Sequence, residues 1–452
     1  MALSFLIQGC LLTENRQSSE RAPQIIPRSD HCLSRANVSK NALKVLYRLK
    51  DGGYQAFLVG GSVRDLLLGR RPKDFDVATN ARPEQVRALF RNSRLIGRRF
   101  RLAHVRFGRE IIEVATFRGS GGQGDSDERQ VFHASGRIIS DNVYGTLEED
   151  AWRRDFTVNA LYYNIADYSI WAFVDGLTDL KAKRLRLIGD PVTRYREDPV
   201  RMLRAARFAA KLGFEVHADA ARPIKDLARL IDDVPAARLF DEFLKLFQSG
   251  YALASFRHLH KLGLFEHLFP DTVRWLDGDT GEVELAFIEH ALRNTDQRVV
   301  DGKAITPMFL FGVFLWRSVH TRAAELIATK GAFSEVQALI TATAEVSRRQ
   351  AQRIALPRRF GLPMREMLQL QPRFNKRKGR RAMDLLSHRR FRAAYDLMIL
   401  RVSIGEVSSD VAEFWTEVQT RSAAEQKKLF GISGRHRPAR KRHRSGVAAQ
   451  RG

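Results

Sequence analysis

The chain of 452 residues carries 76 Lys and Arg against 51 Asp and Glu, a formal net charge of +25. Such an excess favours a polyanionic partner through phosphate neutralisation and counterion release, and the absence of any long apolar run argues against a spanning helix. The two cysteines, Cys10 and Cys32, cannot build a disulfide framework or a cysteine zinc site, and they fit a reducing cytosol.

In chain order, residues 1–34 read as a flexible arm. Met1 to Leu12 is apolar without the positive start of a secretory signal, and the remainder is polar and proline-containing. Apolar spacing from Val38 to Leu46 predicts a helix. Phe57-Leu-Val-Gly60 predicts a short strand, Gly60-Gly61-Ser62 a turn, and Val63 to Leu68 a helix closed by Gly69. A basic turn, Arg70 to Lys73, leads into a second strand, Asp74-Phe-Asp-Val-Ala-Thr79. Residues two apart on a strand share a face, so Asp74 and Asp76 project together while Phe75 points into the core. Two adjacent carboxylates repel, and a divalent cation relieves the repulsion. Oxygen-only ligands suit Mg²⁺, which completes its shell with substrate phosphates. The glycine turn offers backbone N–H groups to an anion at a helix start. Phosphate cradle and metal seat in consecutive elements point to nucleotidyl transfer.

The stretch from Phe57 to Thr79, with its GG-S-V-R-D and D-x-D motifs, resembles the head of the class II nucleotidyltransferases of the DNA polymerase β superfamily. These are the bacterial poly(A) polymerases and the CCA-adding tRNA nucleotidyltransferases. The resemblance implies that Asp74 and Asp76 hold the catalytic metals, Mg²⁺ with Mn²⁺ as the alternative ion. It implies that Gly60, Gly61, Ser62 and Arg64 handle the triphosphate of ATP.

Further on, Arg82-Pro to Phe90 predicts a helix with proline near its start. Leu95 to Gly119 predicts two strands about a polar turn. Glu113 on the second is either a third acid near the metals or a solvated strand residue. This stretch resembles the segment that separates bacterial poly(A) polymerases from their CCA-adding relatives. Gly119 to Gln130 reads as a glycine- and charge-rich loop, either lid or linker. In Asn142 to Asn164, Asp155 and Asn159 are four apart and would share a helix face beside Arg153 and Arg154. A carboxylate and an amide suit sugar hydroxyls, and arginine suits phosphate. The run resembles the family motif RRDFTxNA, which implies that Asp155 joins the active-site carboxylates and that Arg154 and Asn159 bind nucleotide. Trp171 to Gly189 reads as a closing hairpin about Asp175-Gly176.

From Pro191 the pattern turns helical. Asp198-Pro199 reads as an N-cap and first-turn pair, and Arg201, Arg204 and Arg207 recur every three residues. Glu197, Asp198 and Arg201 match the family's EDxxR motif, which implies base reading without a template. Residues 220 to 345 carry amphipathic runs, and the aromatic-rich Pro307 to Val319 reads as bundle core. Leu356 to Tyr395 interleaves Arg and Lys with Phe360, Phe374 and Phe391. The charges suit single-stranded RNA, and the rings read as core first. This block also resembles the C-terminal region of the bacterial poly(A) polymerases. Gly434 to Arg444 is a basic tail.

The expected architecture is an α/β (α+β) nucleotidyltransferase head of the polymerase β superfamily followed by all-α neck and body domains. Its boundaries are an arm at 1–34, head at 35–190, neck at 191–265, body at 266–425 and basic tail at 426–452. The resemblance implies a cytoplasmic, metal-dependent polynucleotide adenylyltransferase. It would act as a monomer, without stable membrane insertion, on RNA 3′ ends and ATP, with RNA-decay proteins as further partners. The alternatives are CCA addition to tRNA and a non-catalytic RNA-binding protein on the same scaffold.

Overall fold

Continuous apolarity marks Ala56–Val59 as a strand covered on both faces. In the computed structural model all four residues are buried within an eight-stranded mixed sheet. The structure describes residues 22–97, 101–119, 131–132, 138–140, 143–330 and 334–432. The first 21 residues, most of the loop at 119–130 and the tail at 434–444 lie outside them. The chain divides into two compact units, Met1–Leu227 and Ala228–Gly452.

The first unit opens with β1 (Gln24–Ile26) and α1 (Lys40–Asp51), whose N-cap Ser39 accepts from two backbone N–H groups. Then come β2 (Ala56–Val59), α2 (Gly61–Leu67), β3 (Asp76–Thr79), α3 (Pro83–Leu89) and the strands β4 (Ser93–Ile96), β5 (Leu102–Phe107) and β6 (Glu110–Thr116). A separate hairpin, β7 (Val131–Phe132) and β8 (Ile138–Ser140), precedes α4 (Leu147–Arg153). After it run β9 (Leu161–Asn164), β10 (Ile170–Ala172), α5 (Gly176–Lys181) and β11 (Arg184–Leu185). The unit continues through α6 (Pro191–Glu197), α7 (Val200–Leu212) and β12 (Glu215–Val216). The large sheet is ordered β1-β10-β9-β2-β3-β6-β5-β4. Within it β3 and β6 pair in parallel, and the other neighbours run antiparallel. One face of the sheet packs an aromatic cluster of Phe57, Phe117, Tyr162 and Trp171.

Four local expectations change. Residues 24–26, assigned to the flexible arm, form an edge strand, because Ile25 and Ile26 pair with Trp171 and Ile170. The second strand begins at Asp76 rather than Asp74. Its partner β2 ends at Val59 opposite Asp76, so Asp74 and Phe75 lie beyond the end of that pairing, and Phe75 is only half-buried. Helix α2 takes in Gly61 and Ser62, leaving Gly60 as its N-cap. Asp175-Gly176 opens α5 instead of turning a hairpin. A Cβ on Gly176 would meet the Thr157 carbonyl oxygen at 2.4 Å, so a close approach rather than a turn demands glycine here. The hairpin is made by β9 and β10.

Helix α7 is joined to the rest of its unit by backbone as well as side chains. β11 pairs in parallel with β12, and Arg70 donates to the carbonyls of Lys211 and Leu212 at 3.0 and 3.1 Å, closing the C-terminus of α7. The second unit is helical. The run from Pro307 lies in a 24-residue helix, and its Phe311 and Phe314 pack against Phe243, Phe247, Phe265 and Phe269. Each such ring contributes roughly 1.5–3 kcal/mol by burial. Phe374 and Phe391 surround the fully buried Trp415, which leaves the arginines of this block to the surface. Among the described residues no helix is long and apolar enough to cross a membrane.

Candidate active site

Strand β2 runs into Gly60, and the antiparallel register sets Val59 opposite Asp76. The glycine bend and the first residue of β3 therefore meet at one end of the sheet. Gly60 has φ 73° and ψ −131°, a backbone that side chains disfavour, and a Cβ there would lie 3.5 Å from Arg154 Nη1. Ser62 is turned inward, its Oγ donating to the Val59 carbonyl at 3.0 Å.

On its other side Asp76 faces Glu113 through the parallel register of β3 and β6. Asp74 precedes it by two residues and is exposed, as is Glu113, whose Oε1 lies 3.2 Å from His104 Nε2. Burial and the charge of Glu113, with a smaller contribution from Asp74, push the Asp76 carboxyl up to about 6, while Arg154 pulls the other way. A carboxylate crowded by other acids, with oxygen donors only, fits a hard divalent cation. Among the described residues no three acidic, His or Cys groups form a ready-made cage.

Arg154 is held by Asp150 and Tyr162: Nε donates to Asp150 Oδ2 at 3.1 Å and to the Tyr162 hydroxyl at 2.8 Å. Burial alone would weaken its hold on the proton, but these partners prevail and raise its pKa. Its guanidinium is thus a fixed positive charge beside Gly60 and Asp76.

Asp155 and Asn159 do meet, although not on one helix. Helix α4 stops at Arg153, where Arg194 Nη2 donates to the carbonyls of Arg153 and Arg154 at 2.6 and 2.8 Å. A 3₁₀ turn, Thr157–Asn159, then brings Asn159 Nδ2 to Asp155 Oδ1 at 3.1 Å. The same oxygen accepts from the Phe156 N–H at 2.8 Å, and Oδ2 accepts from Arg204 Nε at 2.7 Å. Burial would raise the Asp155 pKa, but Arg204, Asn159 and the Phe156 N–H outweigh it and hold the carboxyl well below the usual range.

Arg64 joins the same network and is only 2% exposed. Its Nη1 donates to Asn159 Oδ1 at 2.5 Å, and its Nε and Nη2 donate to Asp65 Oδ1 at 2.9 and 2.7 Å. The structure therefore places Arg64 inside a relay running from Asp65 through Asn159 and Asp155 to Arg204. Of the EDxxR residues, Arg201 Nη1 donates to Glu197 Oε2 at 2.9 Å and to the Arg194 carbonyl at 2.6 Å. Asp198 closes α6 and Pro199, expected as the first helical residue, is instead the N-cap of α7; Asp198 Oδ1 still accepts from the Val200 N–H at 3.3 Å. Arg194 shares Glu197 at 2.8 Å, and burial together with Arg201 lowers its pKa to about 10.

Sequence reasoning missed the roles of Arg194 and Arg204. Arg204 was visible only as part of a three-residue arginine repeat, which carries no information about a partner 49 residues away.

Residues 56–186 match the family model for the poly(A) polymerase head domain, and 213–276 the model described as a probable RNA and SrmB-binding site of polymerase A. Residues 331–447 match the model for the polymerase A arginine-rich C-terminus. A poly(A) polymerase I of Escherichia coli is 46% identical over 429 residues, covering 93% of this chain and 92% of the relative. A CCA-adding enzyme of Lactobacillus helveticus is 39% identical over 205 residues, covering 45% of this chain and 49% of that protein. A solved apo CCA-adding enzyme shares the fold, with a TM-score of 0.59 and 19% identity over 87% of this chain and 85% of that one.

Proposed function

The chain belongs to the bacterial poly(A) polymerase family, and from that premise we infer that it adds AMP from ATP to RNA 3′ ends without a template. Likeness to a poly(A) polymerase spans nearly the whole chain, whereas likeness to the CCA-adding enzyme of Lactobacillus helveticus stops at about half. The observation that carries the chemistry is the meeting of the Gly60 bend with Asp76, set by the Val59–Asp76 register.

Asp74 and Asp76 would hold Mg²⁺ or Mn²⁺, with Glu113 adjacent. When bound, such ions supply charge neutralisation at the triphosphate and a more acidic 3′-hydroxyl. The RNA 3′-oxygen forms a bond to the α-phosphorus of ATP, the bond to pyrophosphate breaks, and the hydroxyl proton is released. Fixed in place by Asp150 and Tyr162, Arg154 presents positive charge where phosphate charge accumulates, with no reorganisation during reaction. Gly60 and Gly61 let the backbone approach the triphosphate. Asp155, Asn159 and Arg64 act as positioning residues, because their polar atoms are engaged with one another and with Arg204. Glu197 and Arg201, held as a rigid pair, are the candidates for reading the base, with Asp198 setting the start of α7.

The test is incorporation by purified protein given ATP and CTP, with both an unrelated RNA and a tRNA lacking its end. Adenylate tracts on both RNAs are expected. Ordered C-C-A on the tRNA alone would overturn the reading. RNA binding without incorporation, at any Mg²⁺ or Mn²⁺ concentration, would do the same.

A further inference from the structure

The second unit contains a cleft of about 660 Å³ that the head chemistry does not use. Its size falls within the range of small-ligand sites. Three separated parts of the chain build it. Gln248 follows the helix Ala236–Phe247, the segment around Arg298–Leu310 joins two long helices, and Arg389–Ile399 belongs to the arginine-rich block.

Two kinds of wall face each other. Half-buried Met308, Phe309 and Ile399 supply apolar surface. Arg298, Lys303, Arg389, Arg390 and Arg392 supply positive charge, against Asp301 and Asp396 in the same lining. Lys303 pairs with Asp301, Arg392 with Asp396, and Arg389 and Arg390 share Glu366. Arg298 donates to a neutral acceptor, the Ala304 carbonyl, at 2.9 Å. The cleft therefore keeps a positive surplus after its own ion pairs are made. The first turns of two helices, Pro307–Lys330 and Phe391–Ser403, also line it, and helix starts favour anions.

An independent sign comes from Gln248. Its Nε2 is buried and has no hydrogen-bond partner among the described residues. A buried amide donor without an acceptor costs about 1–3 kcal/mol, and Gln248 is one of the residues that line the cleft.

We propose that this cleft binds a 5′-adenylate unit, its base against Phe309 and Met308 and its phosphate toward Arg298 and Arg392. The choice of adenylate rests on the adenylyl-transfer reading above; the fit to an apolar body bearing an anionic group does not. The unit comes either from the RNA strand or from a free nucleotide, and the two sources are separable.

The experiment uses the full chain and reads binding directly, by anisotropy of a labelled oligoadenylate with AMP as competitor. Ala393→Trp fills the cleft, and the double variant Arg298→Gln/Arg392→Gln removes charge without adding bulk. Thermal unfolding of each variant checks the fold, and the double variant serves if the tryptophan does not fold. Expected is a loss of about tenfold in oligoadenylate affinity in either variant. Competition by AMP that disappears in the variants assigns the cleft to free nucleotide as well, whereas no competition with the same loss assigns it to the strand. Unchanged oligoadenylate affinity together with unchanged AMP competition overturns the proposal. If wild-type protein incorporates AMP while the variants bind normally, only the cleft proposal falls. If wild-type protein incorporates nothing while the variants lose oligoadenylate, the adenylyl-transfer reading falls and the cleft stands.

Discussion

Asp76 and Asp155 both derive from motifs tied to catalysis, yet their surroundings are opposite. Asp76 sits between Glu113 and Asp74, and its proton is held up to about pH 6. Asp155 has a guanidinium, an amide and a backbone N–H on its two oxygens and stays ionised far into acid. The first carboxylate is left with unfavourable charge that an incoming cation can relieve. The second is already neutralised by the protein. The difference teaches that membership of a motif does not fix a role; the available counter-charge does.

The largest expected effect is on Asp76→Asn. Incorporation should fall by about 1,000-fold or more, while stability in metal-free buffer at pH 8 should rise by on the order of 1–3 kcal/mol. The folded-state pKa of Asp76 lies above its unfolded value near 4. Its contribution to stability is therefore full below pH 4 and lost as pH rises through about 6. The gain from the amide should thus appear above pH 6 and vanish near pH 4, as read by calorimetric unfolding across that range. A variant less stable than wild type at pH 8 would break the contrast.

Asp155→Ala should act the other way, costing about 3 kcal/mol by leaving Arg204, Asn159 Nδ2 and the Phe156 N–H without their shared acceptor. The folded-state pKa of Asp155 is depressed, so its contribution is present above the unfolded value and lost only as pH falls through the folded one. The deficit should be flat from pH 5 to 8. Urea midpoints for Asp155→Ala, Arg204→Ala and the double variant measure the coupling, and strictly additive losses would contradict the relay.

Smaller is the response to Mg²⁺. Added metal should stabilise the wild type by about 1–2 kcal/mol at 10- to 30-fold saturation, more at pH 8 than at pH 5, and leave Asp76→Asn unmoved. Equal shifts in both proteins, by thermal melt, would move the metal seat elsewhere. Smallest is Tyr162→Phe. Its hydroxyl accepts from Arg154 and donates to Asp150 Oδ2 at 2.7 Å, so losing it should cost about 1 kcal/mol, read from the same urea midpoints.

Much of the first site was legible because its signals are local. Gly60, Asp74 and Asp76 lie within 17 positions of sequence, and the strand before the glycine declares itself by apolarity. The helical run from Pro307 and the inward aromatics of Leu356 to Tyr395 were legible for the same reason. What could not be read was long-range partnership. Arg64 stands in a motif implied to face phosphate, but its orientation is settled by Asn159, 95 residues away. Asp175-Gly176 carries the signature of a hairpin turn and equally of a helix start, and the Thr157 carbonyl decides between them. The edge strand at Gln24–Ile26 is too short to show alternation and exists only because β10 offers a partner.

The two-residue ladder between β11 and β12 bears on how this polypeptide can be shortened. A truncation at Asp190 would remove the strand beside Leu185 and discard the guanidinium opposite Asp155. The smallest autonomous catalytic fragment should therefore extend through Leu227, carrying its first helices with it as part of its own foundation.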